Sequence, residues 1–389
     1  MSLVRPAVLF ISWYVGLGGG ETDLLALAQG LADRLEPHLC LPRSGPLSES
    51  WTAQGWPVHV LPFRGASTWF VPRVWARFPV VGQLKGLLRR ENIALIYSDY
   101  HSLPYALPAA QAIGLPVAWV LWGWWFKPRP WQKTFFCLPQ VAIAKSQAIA
   151  RGFLGQPPFM PPQRVPVIYP GVDAARFHPS VDGAPIRALA GVPQGAPLVA
   201  LIARFQRVKG HHTFQDMARL VLAQRPDCHF VIAGEETFGV SADQAYRDSI
   251  LRAAQDDPLL RERLHYIGFR TDAEAVMTAA DVVVCPSQFE SFGKVNVEAM
   301  ACARPVVSTS QGGPAEVVVD GETGFLVPPE DPPALAAHVL ALLDDAALRA
   351  RMGQAGRARV LAHFSTEEAV RRTWALLEPL LAKSSGPSG

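Results

Sequence analysis

The sequence predicts an α/β protein with two doubly wound parallel sheets, each in its own domain. Apolar runs of strand length alternate with amphipathic stretches of helical length along most of the 389 residues, which is the pattern of βαβ units. A chain of this length usually exceeds what one hydrophobic core organises. A proline-rich section at 156–170 interrupts the alternation, and we place the domain boundary just after it.

The predicted strands are continuous apolar runs, as expected for parallel strands that are covered on both faces. In the first half they are 7–12, 38–42, 58–62, 93–98 and 117–122, with a helix over 21–35. In the second half they are 198–205, 228–233, 264–268, 282–285 and 305–309. Helices at 332–344, 346–363 and 366–382 follow.

These elements predict three parts of the chain. Residues 1–178 form an N-terminal domain, and the helix 366–382 is expected to pack back on it. Residues 179–365 form the C-terminal domain. The tail 383–389 is rich in serine and glycine and is expected to be disordered or vector-derived.

Composition excludes several classes of function. A formal net charge of +3 does not indicate a nucleic-acid partner. Five scattered cysteines without a CxxC pair argue against a zinc ribbon or a disulfide framework, so we expect a cytoplasmic protein. The apolar run near the N-terminus enters a glycine-rich loop and is interpreted as a buried strand, not a signal peptide. The run 115–126 is too short to span a bilayer.

Two cations follow the predicted strand 198–205. Arg204 and Lys209 would lie around the start of a helix near His211. A helix N-terminus already favours an anion, and a guanidinium with an ammonium could clamp a diphosphate there. Two solvated surface cations are the alternative.

Two carboxylates follow the predicted strand 282–285. Glu290 would lie in the loop and Glu298 on the helix after it, so they could reach different parts of one extended ligand. Gly293 between them would let the backbone approach that ligand closely. The alternative makes Glu290 a helix cap and Glu298 an exposed helix residue.

Several segments together resemble the family-4 retaining glycosyltransferases of the GT-B fold. Residues 290–301 resemble the family's ExxxxxxxE motif, 204–210 its RxxxxKG motif, and 169–179 its interdomain NGVDxxxFxP segment. Residues 312–316 and 321–327 match the GGPAE and GxxGFLV stretches. The resemblance implies two Rossmann-like domains facing a central cleft.

The resemblance also implies residue roles. Arg204 and Lys209 would contact the donor diphosphate, Glu290 the transferred sugar and Glu298 the ribose. Other expected donor contacts lie in the loops beside these four residues: Gly19, Gly20, Gly268, Phe269, Ser291, Phe292, Gly293, Lys294 and Val295.

The acceptor side is expected in the first domain. Asp99 and His101 follow the strand 93–98, and His101 could accept a proton or hold a sugar hydroxyl, although a lone loop histidine is more often structural. Trp124 and Trp125 could stack on sugar rings. They belong to a tryptophan-rich region with interleaved cations, Trp119 to Lys133, which leaves peripheral membrane contact open.

The leading hypothesis is a retaining, metal-independent transfer of a sugar from a nucleotide diphosphate, UDP above GDP or ADP, to a hydroxyl acceptor. The acceptor could be a glycan, a lipid or a small molecule. The sequence lacks DxD, HExxH and GxxxxGK[ST] motifs, so we expect no metal and no cofactor. A nucleotide-sugar epimerase or hydrolase, a non-catalytic nucleotide-sugar-binding protein and an NADP oxidoreductase stay open as alternatives.

Overall fold

The computed structural model describes residues 5–66, 70–123, 127–236 and 241–384. The chain divides into two compact units. The N-terminal unit takes the described residues up to Gly171 and those from Thr366 onward, and the C-terminal unit takes Val172–Ser365.

The N-terminal unit is built on a six-stranded parallel sheet of order β3-β2-β1-β4-β5-β6. This is the strand order of a doubly wound nucleotide-binding sheet. The strands are β1 (Ala7–Ile11), β2 (Glu36–Leu41), β3 (Val58–Val60), β4 (Ile93–Ser98), β5 (Val117–Leu121) and β6 (Val141–Ala144).

Helices cover both faces of this sheet, which is why all five residues of β1 are buried. Alternate residues of β1 belong to two cores, with Leu9 in one and Phe10 in the other. The helices between and after the strands are α1 (Gly19–Leu31), α2 (Pro46–Ala53), α3 (Pro72–Trp75), α4 (Pro79–Arg90), α5 (Leu103–Gln111), α6 (Pro130–Phe136) and α7 (Gln147–Leu154).

The C-terminal unit repeats this topology. Its sheet has the order β12-β11-β10-β7-β8-β9, and all of its strand pairs are parallel. The strands are β7 (Leu198–Ile202), β8 (His229–Ala233), β9 (Leu264–Tyr266), β10 (Val282–Cys285), β11 (Val306–Thr309) and β12 (Gly324–Val327). Two doubly wound parallel sheets confirm the predicted fold class.

Two long helices of the C-terminal unit, α14 (Pro332–Asp344) and α15 (Ala346–His363), begin at a capping aspartate. Asp331 and Asp345 cap two long helices by accepting hydrogen bonds from the backbone N–H groups of Ala334 and Leu348, at 3.0 and 2.8 Å. The helices are α8 (Ala184–Leu189), α9 (His211–Leu222), α10 (Ser241–Asp256), α11 (Ala273–Ala279), α12 (Lys294–Ala301), α13 (Pro314–Val317), α14 (Pro332–Asp344) and α15 (Ala346–His363).

The last helix, α16 (Thr366–Ser384), belongs to the N-terminal unit. Its residues Leu377 and Leu381 are buried in the same core as Leu24 and Leu27 of α1. The helix also corrects the predicted start of the tail, 383–389, because Lys383 lies in the helix, which runs to Ser384. Residues 385–389 of that tail lie outside the described residues.

The structure adds two strands that the sequence did not indicate, β6 and β12, each of four residues. No helix within the described part of the chain is both long enough and apolar enough to cross a membrane.

Candidate functional site

The topology of the C-terminal sheet marks where a ligand would bind. Its strand order reverses between β7 and β10, which pair in parallel. In doubly wound sheets, ligands bind beyond the carboxyl ends of the two strands at this switch point. The loops there are 203–210 after β7 and 286–293 after β10, the two segments in which the sequence places its cations and carboxylates.

These two loops contact each other closely. The N–H of Gln288 donates to the carbonyl oxygen of Val208 at 2.8 Å. Gly210, which precedes α9, has a φ of +70° and packs against the backbone of Pro286. A Cβ at this position would collide with the Pro286 carbonyl oxygen. Glycine at 210 therefore allows both the left-handed turn and the approach of the loops.

The loop contact brings Lys209 and Glu290 together. Lys209 Nζ lies 2.7 Å from Glu290 Oε1, and the hydroxyl of Ser287 donates to the same oxygen at 2.8 Å. Both charged side chains keep some solvent contact, with relative exposures of 20% for Lys209 and 16% for Glu290. The pair therefore forms a preorganised cation and acceptor at the mouth of the sheet.

The backbone of Glu290 is held by two adjacent glycines, Gly312 and Gly313. Glu290 forms an isolated parallel bridge with Gly312, and the N–H of Gly313 donates to the Glu290 carbonyl at 2.9 Å. A Cβ at Gly312 would collide with that carbonyl oxygen. The segment 312–313 therefore fixes where the Glu290 side chain starts.

The helix α12 begins beside Glu290. Its N-cap residue, Gly293, has a φ of +86°. Lys294 and Val295 form the first turn, and the start of a helix favours an anion. Phe292 is buried and packs edge-on against Phe364. Ser291 is half-buried beside it.

Glu298 lies one turn further along α12. Burial raises the pKa of its carboxyl, which the nearby Lys294 and Arg176 partly offset. The predicted ribose contact of Glu298 stays a prediction.

Three further predicted donor contacts follow strands β7 and β9 of the C-terminal sheet. Arg204 is exposed and forms no ion pair among the described side chains. Gly268 has a φ of +71° and Phe269 is 61% exposed in the loop after β9. An exposed phenylalanine ring is the kind of surface on which a flat aromatic base stacks.

The sequence did not single out His211, the first residue of α9. It is fully buried and stacks on Phe205, with ring centroids 4.3 Å apart. Burial lowers the pKa of His211 to about 3, so the imidazole stays neutral beside Lys209. The sequence does not indicate that His211, which follows Lys209 and Gly210, is buried, because its burial depends on the packing of the whole unit.

The N-terminal sheet has its own switch point, between β1 and β4. Asp99 lies there but is buried, and its carboxylate accepts hydrogen bonds from the N–H of Trp13 at 2.8 Å and from the N–H and hydroxyl of Ser102 at 2.7 and 2.6 Å. Asp99 therefore joins the two loops and orients their side chains.

His101 lies beside this aspartate. Its Nδ1 is 3.0 Å from the carbonyl oxygen of Ala66, which can only accept, so Nδ1 carries the proton. Nε2 then offers a lone pair and lies 3.4 Å from the Tyr14 hydroxyl. The exposed rings of Trp13 and Tyr14 flank the imidazole, with centroids at 5.0 and 5.5 Å. The sequence analysis missed these two aromatic residues.

The remaining N-terminal predictions fall in three places. Gly19 and Gly20 start α1, and Gly20 faces the ring of Trp122. Trp124 and Trp125 lie outside the described residues. Trp119 is fully buried and stacks on Phe136, so it cannot contribute to a membrane-contacting surface.

Two family models match the chain. The model of glycosyl transferases group 1 matches residues 185–359, and that of glycosyltransferase family 4 matches residues 17–176. The chain belongs to these glycosyltransferases. The GT-B resemblance inferred from the sequence motifs is therefore confirmed.

Relatives and solved structures agree with this family. D-inositol 3-phosphate glycosyltransferase of Corynebacterium efficiens is 35% identical over 199 residues, which cover 50% of this chain and 46% of the relative. Alpha-maltose-1-phosphate synthase of Mycolicibacterium smegmatis is 32% identical over 247 residues, covering 60% and 61%. The chain thus spans about half the length of the first of these relatives.

Among solved structures, Anabaena Alr3699/HepE in complex with UDP superposes with a TM-score of 0.79 at 25% identity, covering 96% of this chain and all of that one. A glycosyltransferase from Rickettsia africae ESF-5 has a TM-score of 0.85 at 18% identity, which supports the fold of this family member.

Proposed function

We propose that this chain transfers a sugar from a nucleotide diphosphate donor to a hydroxyl acceptor, with retention at the anomeric carbon and without a metal ion. The observation that carries the proposal is the Lys209–Glu290 pair, 2.7 Å apart, between the starts of α9 and α12. UDP is the first candidate for the donor nucleotide, because the Anabaena structure was solved with UDP.

Charge develops on the departing diphosphate during transfer, and the residues here meet that need. Lys209 supplies an ammonium, Arg204 an exposed guanidinium, and the first turn of α12 supplies backbone N–H donors. Donors fixed in place before the reaction stabilise the transition state without reorganising. The proposed mechanism therefore needs no bridging metal.

Glu290 has a different task. Its carboxylate is held by Lys209 and Ser287, and its backbone by Gly312 and Gly313. These contacts fix the orientation of the carboxylate and of its remaining lone pairs. A carboxylate in this state accepts hydrogen bonds from sugar hydroxyls. Glu290 would thus select and orient the transferred sugar next to the diphosphate clamp.

The acceptor hydroxyl would be recognised by the loops at the N-terminal switch point. His101 Nε2 would accept the proton of the acceptor hydroxyl in place of its contact with the Tyr14 hydroxyl at 3.4 Å, and the rings of Trp13 and Tyr14 present apolar faces for a sugar or lipid portion. Segments 12–18 and 99–102 contain no lysine or arginine, so this surface suits hydroxyls better than phosphate.

The test compares Lys209→Ala with Arg207→Ala. Arg207 is a neighbouring cation whose guanidinium lies over the Tyr246 ring, 5.9 Å from its centroid, and serves as a matched control. Loss of one transition-state donor lowers kcat by roughly 10²–10³-fold, so Lys209→Ala should lose about that much while Arg207→Ala keeps near-parent turnover.

The donor is identified first by thermal shift with UDP, GDP, ADP and NADP, and the product by NMR of its anomeric configuration. Near-parent turnover of Lys209→Ala would contradict the assignment. Conversion of the nucleotide-sugar without an acceptor would favour an epimerase or hydrolase, donor binding without any conversion a binding protein, and stabilisation by NADP alone an oxidoreductase.

A further inference from the structure

Two histidines and a glutamate cluster on the N-terminal sheet, outside the residues proposed to bind donor or acceptor. His38 lies on β2, His59 on the edge strand β3, and Glu91 directly after α4. One potential ligand atom from each residue lies within 4.8 Å of the other two. His38 Nδ1 and His59 Nε2 are 3.2 Å apart.

We propose that His38, His59 and Glu91 bind a divalent transition-metal ion of the Zn²⁺ class. Zinc–nitrogen bonds of about 2.0–2.1 Å at tetrahedral angles place neighbouring ligand atoms roughly 3.3 Å apart. The spacing of the two imidazole nitrogens already matches that value. Two histidines and one carboxylate form a recognised zinc ligand set, with water in the fourth position.

A second carboxylate lies near the His38 ring. His38 Nε2 is buried and has no hydrogen-bond partner among the described residues, and Glu36 Oε1 lies 3.5 Å from it. Metal-binding imidazoles commonly turn their second N–H toward a carboxylate, which fixes the tautomer and raises ligand basicity. With the proton on Nε2, His38 presents a lone pair at Nδ1.

The C-terminal sheet contains a matched pair that lacks these features. His229 on β8 and His265 on β9 are stacked, with Nδ1 and Nε2 2.9 Å apart. In both sheets the second histidine is in register with the residue two positions after the first, Cys40 in one case and Val231 in the other.

The charge beside this second pair is opposite. Arg263 lies 2.9 Å from His229 Nε2, and a guanidinium can only donate, so Nε2 is the acceptor and Nδ1 carries the proton. Nδ1 then donates to His265, which leaves no lone pair between the rings. The same ring geometry therefore gives a hydrogen bond beside Arg263 and a metal site beside Glu36 and Glu91.

One cation competes at the proposed site. Arg90 Nε donates to Glu91 Oε1 at 2.9 Å, which leaves Oε2 for an ion. The Arg90 side chain is 68% exposed, so its contact with Glu91 is weak and easily displaced. An ion bound here would connect the short edge strand β3 to β2 and to the end of α4. The site takes no part in the proposed metal-independent transfer.

The test uses tag-free protein stripped with EDTA and titrated with Co²⁺, then with Zn²⁺. The parent should bind one Co²⁺ with the intense visible absorption of tetrahedral cobalt, and Zn²⁺ should displace it. At about 100 times the dissociation constant, Zn²⁺ should raise the melting temperature by roughly 5 °C or more. His59→Gln and Glu91→Gln should lose or strongly weaken both effects.

His265→Gln is the matched control and should bind Co²⁺ like the parent. His59 and Glu91 are only half-buried, so their glutamine variants should fold, and an unchanged far-UV spectrum checks this. The proposal is overturned if the parent shows no tetrahedral Co²⁺ spectrum, if His59→Gln binds as tightly as the parent, or if His265→Gln abolishes binding. These readouts do not depend on glycosyl transfer.

Discussion

A buried ion pair in the N-terminal unit offers a sharp test of how this fold is stabilised. Lys145 Nζ lies 3.0 Å from Asp23 Oδ2, and the side chains are 3% and 6% exposed. Asp23 Oδ1 accepts a hydrogen bond of 3.1 Å from the N–H of Gly171, the residue at which the chain leaves this unit. The Lys145 ammonium also lies over the Trp122 ring, 4.6 Å from its centroid.

Replacing Lys145 with methionine would leave Asp23 as a buried carboxylate without its cation. Breaking a buried pair in this way costs about 3–5 kcal/mol. For a unit of 150–250 residues, 1 kcal/mol shifts the melting temperature by about 2–4 °C, so Lys145→Met should melt roughly 6–20 °C lower. Adding Asp23→Asn should recover most of the loss, because the amide oxygen still accepts from Gly171 and no charge is buried.

The assays are urea unfolding, which gives the free energy, and thermal melting, both on the intact chain and followed by far-UV circular dichroism. Arg371→Met is the control: it breaks an exposed pair with Glu368 on α16 of the same unit, whose arginine is 68% exposed, and should cost less than about 1 kcal/mol. The reasoning fails if Lys145→Met costs no more than this control, or if the double variant is no more stable than Lys145→Met alone.

Two further predictions concern the C-terminal unit. Gly210→Ala should lower the free energy of unfolding by at least about 2 kcal/mol and abolish most transfer activity, because a collision with Pro286 adds to a left-handed backbone cost of about 1–2 kcal/mol. The control is Gly191→Ala, at φ +64° with open space around it. In urea unfolding this control should show only the backbone cost. Equal losses in the two variants would remove the argument. The pKa of His211 is about 3 in the folded protein, against 6.5 for the free side chain. Between these two pH values the unfolded state binds more protons than the folded state, so the free energy of unfolding falls as the pH is lowered. Between pH 7 and 5 the parent should lose about 2 kcal/mol more than His211→Phe, and parallel pH profiles would count against it.

Most of the sheet could be predicted from sequence because parallel strands buried on both faces are continuous apolar runs. The strands Ile93–Ser98 and Val282–Cys285 have the predicted bounds for this reason. The strands β6 and β12 were missed because their runs are weak in strand-forming residues: β6 contains two alanines and β12 begins with a glycine, whereas the equally short β10 contains three valines.

The candidate site likewise contains residues that the sequence identifies and contacts that only the structure shows. Lys209 and Glu290 carry charge at recognisable spacings, so the sequence identifies them although 80 residues intervene between them. Ser287 and Gly312 hold Glu290 through a hydroxyl and a backbone bridge, and His211 is neutral because of burial. Contacts of these kinds depend on which loops meet, and that information lies in the three-dimensional packing.

The two sheets show that topology alone does not decide chemistry. Both have the same strand order, and both place a stacked histidine pair on the second and third strands with the same register. The groups beside each pair differ in charge, a guanidinium in one case and two carboxylates in the other. Since a guanidinium donates and a carboxylate accepts, we expect opposite tautomers in the two pairs, and only one of them leaves a nitrogen lone pair for the proposed metal ion.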